Sequence, residues 1–286
     1  MTVAYRELLG ELKPATTERS LTPGVNVVLS SISHGASVSP SWSGMVLRYV
    51  GRGTEHYKIG GRYYRVGDDQ LMIAPQTFGS EVEIRKGELA ETLGLCIFFP
   101  ELGDGSESLI DGPIVLPSSC ALGERLKQAL RRLDSPRRTV EEPARVAFEA
   151  RTHVRETIGA LGRQMDLVPG LKRATRFETV RRMNLARAYL HQVTNRAVPL
   201  DELARETAVS PFQLLRTFRD CFGETPASYH RRVRLSLARE LAEEKGLSYA
   251  FVADRFGFAG GASFSHAYRR TFGKSPVREL GARAKS

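Results

Sequence analysis

Phe218-Arg-Asp-Cys-Phe-Gly-Glu-Thr-Pro226 returns fifty residues later as Tyr268-Arg-Arg-Thr-Phe-Gly-Lys-Ser-Pro276. In each copy an apolar helix end stops at a glycine, Gly223 or Gly273. A Thr-Pro or Ser-Pro pair then opens the next helix as N-cap and first helical residue. Working outward, Leu203-Ala204 faces Val252-Ala253 and Ala208-Val209 faces Gly257-Phe258, both at an offset of 49, so the turn of the second copy is one residue longer. Each copy thus holds a short helix (about 200–208 and 248–256), a tight turn and a second helix (about 211–222 and 261–272). That is helix-turn-helix spacing, in which the second helix can enter a DNA major groove.

In the first copy Ser210-Pro211-Phe212-Gln213 reads as a capping box. Leu214, Phe218 and Cys221, spaced four and three apart, form the buried stripe, which leaves Phe212, Gln213, Leu215, Arg216 and Arg219 facing outward. Such a face suits thymine methyls, guanine edges and phosphates. An ordinary helical hairpin with a solvated basic face would show the same stripe, but the second copy argues against it.

On these residues, the chain from about Arg176 to Leu280 resembles the DNA-binding domain of AraC/XylS-type transcriptional regulators. The motifs are Leu203-Ala204, Ser210-Pro211, Leu214, Phe218, Gly223, Pro226, Tyr229, Arg234 and Ala238, then Val252-Ala253, Gly257-Phe258, Phe264-Ser265, Phe272-Gly273 and Pro276. The resemblance implies two recognition helices in successive major-groove faces, joined by a linker helix over about 226–244. At roughly 1.5 Å per residue this helix spans about 28 Å, close to the roughly 34 Å of one DNA turn. Where the family carries polar readers, the second recognition helix has Gly261, Ala262 and Ser263, with His266 one turn on. Gln213 and Arg216 are therefore expected to carry the base readout, with Arg269, Arg270 and Lys274 positioning the protein on the backbone.

The charge is divided to match. From Leu171 onward there are 22 Lys and Arg against 11 Asp and Glu, whereas residues 1–170 hold 20 against 21. A basic module on a neutral one points to a polyanion partner at one end. Met1–Lys13 shows no signal-peptide core, no stretch approaches a membrane span, and a cytoplasmic location is expected. Cys96, Cys120 and Cys221 have no ligand spacing and read as small apolar residues.

From Val25 to about Pro117 short runs rich in Val, Ile, Tyr and Phe begin near residues 25, 44, 55, 62, 70, 81 and 92, separated by glycine-bearing turns. Gly60-Gly61 reads as a tight hairpin turn. This texture predicts a sandwich or small barrel. Through Tyr57–Asp69 and Leu71–Pro75 the region also resembles the cupin-like effector-binding half of the same regulators. Strand alternation offers Arg48, Tyr57, Tyr64, Met72 and Phe78 as ligand-pocket residues, or equally as barrel core and rim. The metal-binding His-x-His cluster of cupin enzymes is absent around His34 and His56, so neither a metal, a cofactor nor a catalytic residue is expected. Two amphipathic helices follow, over about 118–133 and 146–165; they pack on the barrel or present an outer stripe to a second subunit. Val168-Pro-Gly-Leu171 reads as a linker.

The expected fold is α+β: a cupin-like β-domain over 1–117, a helical hairpin over 118–168 and an all-α double helix-turn-helix domain over 169–286. The expected function is sequence-specific regulation of transcription, not enzymatic, with promoter DNA, a second copy of the chain and RNA polymerase as partners. The barrel then senses an unidentified small molecule or mediates dimerisation. The alternatives are a barrel that serves only for oligomerisation or protein docking, and a cupin-like enzyme fused to a DNA-binding module.

Overall fold

A computed structural model describes residues 3–9, 26–32, 36–38, 44–76, 82–86, 92–135, 139, 141–168 and 172–276. Two compact units divide between Ala188 and Tyr189. The first contains strands β1 (Val3–Leu9), β2 (Asn26–Ile32), β3 (Ala36–Val38), β4 (Gly44–Arg52), β5 (Glu55–Ile59), β6 (Arg62–Val66), β7 (Gln70–Gln76), β8 (Val82–Lys86), β9 (Leu93–Phe99) and β10 (Ile114–Pro117). One sheet has the order β1-β2-β9-β4-β7-β10 and the other β3-β8-β5-β6. β1 pairs with β2 in parallel, and the other pairings are antiparallel. Ile59 pairs with Arg62 across Gly60 and Gly61, whose φ of 56° and 75° is the left-handed backbone that a two-residue hairpin turn needs.

Among the described residues the expected barrel does not close. These residues form two separate hydrogen-bonded sheets, and their edge strands, β1 and β10 in one and β3 and β6 in the other, do not pair with one another. Successive side chains of a strand point to opposite faces. Val50 of β4, Met72 and Ala74 of β7 and Val115 of β10 pack in one core with Tyr57, Tyr64 and Val66 of β5 and β6. Met45, Leu47, Tyr49, Leu71, Ile73, Leu95, Ile97 and Phe99 alternate with that set, and all are buried. Helix α1 (Ala121–Leu133) covers this second face: a Cβ added at Gly51 would lie 2.3 Å from the Leu130 side chain. With both faces covered, β7 and β9 read as nearly unbroken apolar runs.

Helix α1 begins where the Cys120 Sγ accepts a hydrogen bond from the Gly123 N–H, so Cys120 is a cap and not merely a small apolar residue. Helix α2 (Glu142–Asp166) packs on α1. Its apolar stripe, Val146, Ala147, Ala150, Val154, Ile158, Leu161 and Met165, is buried, while Phe148 on its outer side is 75% exposed. Of the expected linker, residues 169–171 lie outside those described. Helix α3 (Arg173–Gln192) follows and carries the division between the units within it.

The second unit is helical: α4 (Leu200–Thr207), α5 (Pro211–Phe222), α6 (Pro226–Lys245), α7 (Tyr249–Arg255) and α8 (Gly261–Phe272). All five start and stop within a residue or two of the expected positions. Among the described residues no helix is long and apolar enough to cross a membrane.

Candidate nucleic-acid interface

The two helix-turn-helix copies share their turn down to individual hydrogen bonds. After α4 the Ala208 N–H donates to the Arg205 carbonyl and the Val209 N–H to the Ala204 carbonyl. After α7 the Gly257 N–H donates to the Asp254 carbonyl and the Phe258 N–H to the Ala253 carbonyl. Both are the paired bonds of a Schellman ending, with the left-handed residue at Ala208 (φ 51°) and Gly257 (φ 67°). The extra residue of the second turn is Ala259, after which Gly260 takes the N-cap position that Ser210 holds in the first copy. Ser210 Oγ accepts from the Gln213 N–H at 3.3 Å, and Thr225 Oγ1 caps α6 in the same way.

The inner faces also repeat. Leu214, Phe218 and Cys221 of α5 are buried, as are Phe264 and Tyr268 of α8. Phe218 meets Phe222 at 4.6 Å between ring centroids and Tyr268 meets Phe272 at 4.7 Å, both at 60°. Helix α6 ties each copy down. Its Tyr229 packs edge-on against Phe218 and hydrogen-bonds His191 Nε2 at 2.8 Å. Its buried His230 donates from Nε2 to the Val193 carbonyl at 2.6 Å; burial, helped by the charges of Arg234 and Arg196, lowers its pKa to about 4 and keeps the ring neutral. At the other end Arg234 donates to the carbonyls of Phe256 (3.0 Å) and Gly257 (3.3 Å) and stacks over Phe258 at 4.7 Å.

This inner scaffold leaves the outer faces to the residues named from sequence. Phe212, Gln213, Leu215, Arg216 and Arg219 of α5 are exposed, as are Ser263, His266, Arg269 and Arg270 of α8 and Lys274 just beyond it. Two other arginines of the helical unit are committed to carboxylates, Arg196 to Glu202 and Arg232 to Glu224. Among the described residues Arg216, Arg219, Arg269, Arg270 and Lys274 have no hydrogen-bond or ion-pair partner. A cation left exposed and unneutralised on the outward face of a helix is available to an external anion.

The proposed pocket residues of the first unit come out differently. Tyr57, Tyr64 and Met72 are side chains of the core between the sheets. Arg48 is buried beneath them, donating from Nε to Glu55 Oε2 at 2.9 Å and from Nη2 to Oε1. The Tyr57 hydroxyl and Thr92 Oγ1 (2.8 Å) complete the shell of the same carboxylate. Gly94 makes room for this group, since a Cβ there would sit 2.7 Å from Arg48 Nη2. Arg48 and Tyr57 are thus brought together, but around Glu55 and Thr92, which the sequence reading missed. Glu55 and Tyr57 share one face of β5, and that parity was the available signal. Phe78 lies outside the described residues. Among those described, no group of three His, Cys, Asp or Glu side chains could hold a metal ion.

Comparison with known proteins bears on the second unit. A family model described as a helix-turn-helix domain matches residues 203–279, the span from α4 to just past α8. The transcriptional regulator LumQ of Photobacterium leiognathi, described as probable, is 34% identical over 90 residues, covering 32% of this chain and 36% of LumQ; the chain spans about a third of that relative's length. PqrA of Proteus vulgaris, described as a probable transcription factor, is 30% identical over 84 residues, 29% of this chain and 69% of PqrA. A crystal structure of a transcriptional regulator with an AraC-type DNA-binding domain from Chromobacterium violaceum is 29% identical, covers 36% of this chain and 92% of that one, and aligns with a TM-score of 0.34. A doubled helix-turn-helix with matched turns, together with 30% identity over more than two thirds of PqrA, places the chain in the family of AraC/XylS-type transcriptional regulators.

Proposed function

We propose that the chain regulates transcription by binding double-stranded promoter DNA, with α5 and α8 as its two recognition helices. The observation that carries this is the set of five exposed cations on and beside those helices that have no partner among the described residues. Gln213 and Arg216 read bases. Arg219, Arg269, Arg270 and Lys274 hold phosphates, with Phe212, Leu215, Ser263 and His266 lining the groove. Helix α6, 20 residues long, spans about 30 Å, which suits binding sites one DNA turn apart.

The test is a salt titration of the full chain on duplex DNA. Four phosphate contacts predict that log K falls against log salt with a slope of about −3 to −4 through counterion release. A salt-independent affinity, or no binding at low salt, overturns the reading.

The two helices are expected to divide the work. Arg216→Ala should cost about 1–3 kcal/mol and relax preference at one base pair, as loss of a bidentate guanine contact does. Arg270→Ala should weaken all sequences about equally and lower the salt slope by about one unit. Binding of both variants to single-base operator mutants at two salt concentrations checks this; an altered base preference for Arg270→Ala with none for Arg216→Ala reverses the assignment.

For the first unit the reading is regulatory: it senses a small molecule or joins two copies of the chain, which then meet RNA polymerase at the promoter. The burial of Arg48, Tyr57, Tyr64 and Met72 in a packed core, with Phe148 exposed on the helical hairpin, favours the joining role.

A further inference from the structure

We propose that Phe212 and Leu215 form an apolar reader for the 5-methyl group of thymine in the major groove; this rests on the reading of α5 as a DNA-recognition helix. On an α-helix residues 212, 215, 216 and 219 fall on one stripe, spaced three, four and seven from the first, and the buried stripe of Leu214, Phe218 and Cys221 lies on the other side. The outward stripe is therefore two apolar side chains followed by two unpartnered guanidiniums. Phe212 is 79% exposed and Leu215 39%.

A single exposed apolar residue is ordinary. Two neighbours on the stripe of a helix flanked by free cations ask for a surface that is anionic and carries a small apolar group. Duplex DNA supplies both: phosphates lie along the groove, and thymine is the base that presents a methyl group there.

The second copy shows that the fold itself does not require these residues. At the offset of fifty, Ala262, Ser265 and His266 of α8 stand where α5 has Phe212, Leu215 and Arg216, while Arg219 keeps its counterpart in Arg269. Both helices have the same length, the same glycine ending and the same aromatic packing beneath. The scaffold is thus satisfied by Ala and Ser at the two positions. What the copies share is the cation suited to phosphate; what α5 alone has is the apolar pair.

The experiment begins with duplexes selected by the full chain from a random pool. Each thymine of a selected duplex is then replaced singly by deoxyuridine, which removes the methyl and leaves every hydrogen-bonding group. At one or two positions the wild-type chain is expected to bind about fourfold more weakly, the worth of one buried methyl. In Phe212→Gln or Leu215→Gln that penalty disappears at the corresponding position while the melting temperature is unchanged. Insensitivity of the wild type to every deoxyuridine, or a penalty that survives both substitutions, overturns the methyl reading alone. Failure to select any duplex overturns the DNA-binding reading, and this inference with it.

Discussion

Gly257→Ala is expected to destabilise the second helix-turn-helix by more than about 3 kcal/mol, whereas Ala208→Gly, at the equivalent place in the first, should change stability by no more than about 0.5 kcal/mol. Both residues are the left-handed member of a Schellman ending, so their backbone requirement is the same. An L-residue with a Cβ incurs about 1–2 kcal/mol in that conformation. Ala208 already bears that cost, and replacing it by glycine removes the strain but returns a similar amount as greater unfolded-chain entropy. Gly257 differs in its surroundings. A Cβ there would lie 2.3 Å from the Asn195 carbonyl oxygen and 2.6 Å from the Arg196 Cα. Both are backbone atoms, so neither can swing aside as a side-chain tip would. Moving the turn would also disturb the carbonyls of Phe256 and Gly257 that hold Arg234. Denaturant unfolding of the three proteins, with DNA binding measured alongside, checks this. Equal effects of the two substitutions would mean that the approach to residues 195–196 does not constrain the turn.

The contrast shows what kind of information the sequence holds. The double helix-turn-helix was legible because its signals are local: a stripe at helical spacing, Ser210 and Thr225 as caps, Gly223 and Gly273 as endings. The strands beginning near residues 25, 44, 55, 62, 70, 81 and 92 were legible for the same reason. β10 was not, because all four of its residues are buried and it shows no alternation. Helix α3 was missed because Phe177, Val180, Met183, Asn184, Ala186, Ala188 and Leu190, all buried, wind around it and do not line one face. Barrel closure lay beyond reach altogether: strand texture says nothing of which strand pairs with which, and β4 pairs with β9, more than forty residues away. Alternation likewise placed Arg48, Tyr57 and Tyr64 inward but could not distinguish a pocket from a packed core. That distinction depended on Glu55, whose carboxylate occupies the place a ligand would have to take beside Arg48.

Arg48→Met should therefore act as the loss of half a buried ion pair, not as the loss of a ligand contact, and cost about 3–5 kcal/mol of stability at neutral pH. Burial alone would push the Glu55 carboxyl up, but the Arg48 charge and the hydrogen bonds from Arg48, Tyr57 and Thr92 outweigh it and hold the group below its ordinary value. In the wild type Glu55 thus contributes stability that is fully present above the unfolded carboxyl's pKa of about 4.3 and is lost as pH falls through the lower folded value. Without Arg48 the desolvation remains and its largest opponent is gone, so the folded pKa rises above the unfolded one. The contribution then changes sign: it is present below about pH 4.3 and lost as pH rises through the folded value. The stability gap between wild type and Arg48→Met should narrow steadily from pH 7 towards pH 4. The double variant Arg48→Met/Glu55→Leu, which removes both charges together, should recover most of the loss at pH 7 and show a gap that is flat between pH 7 and 5.5, changing only near pH 4, where the wild-type Glu55 contribution begins to fade. Urea unfolding of the three proteins at pH 7, 5.5 and 4 measures both effects. A gap that stays constant from pH 7 to pH 4 would mean that Glu55 keeps its charge without Arg48, stabilised by Tyr57 and Thr92 alone.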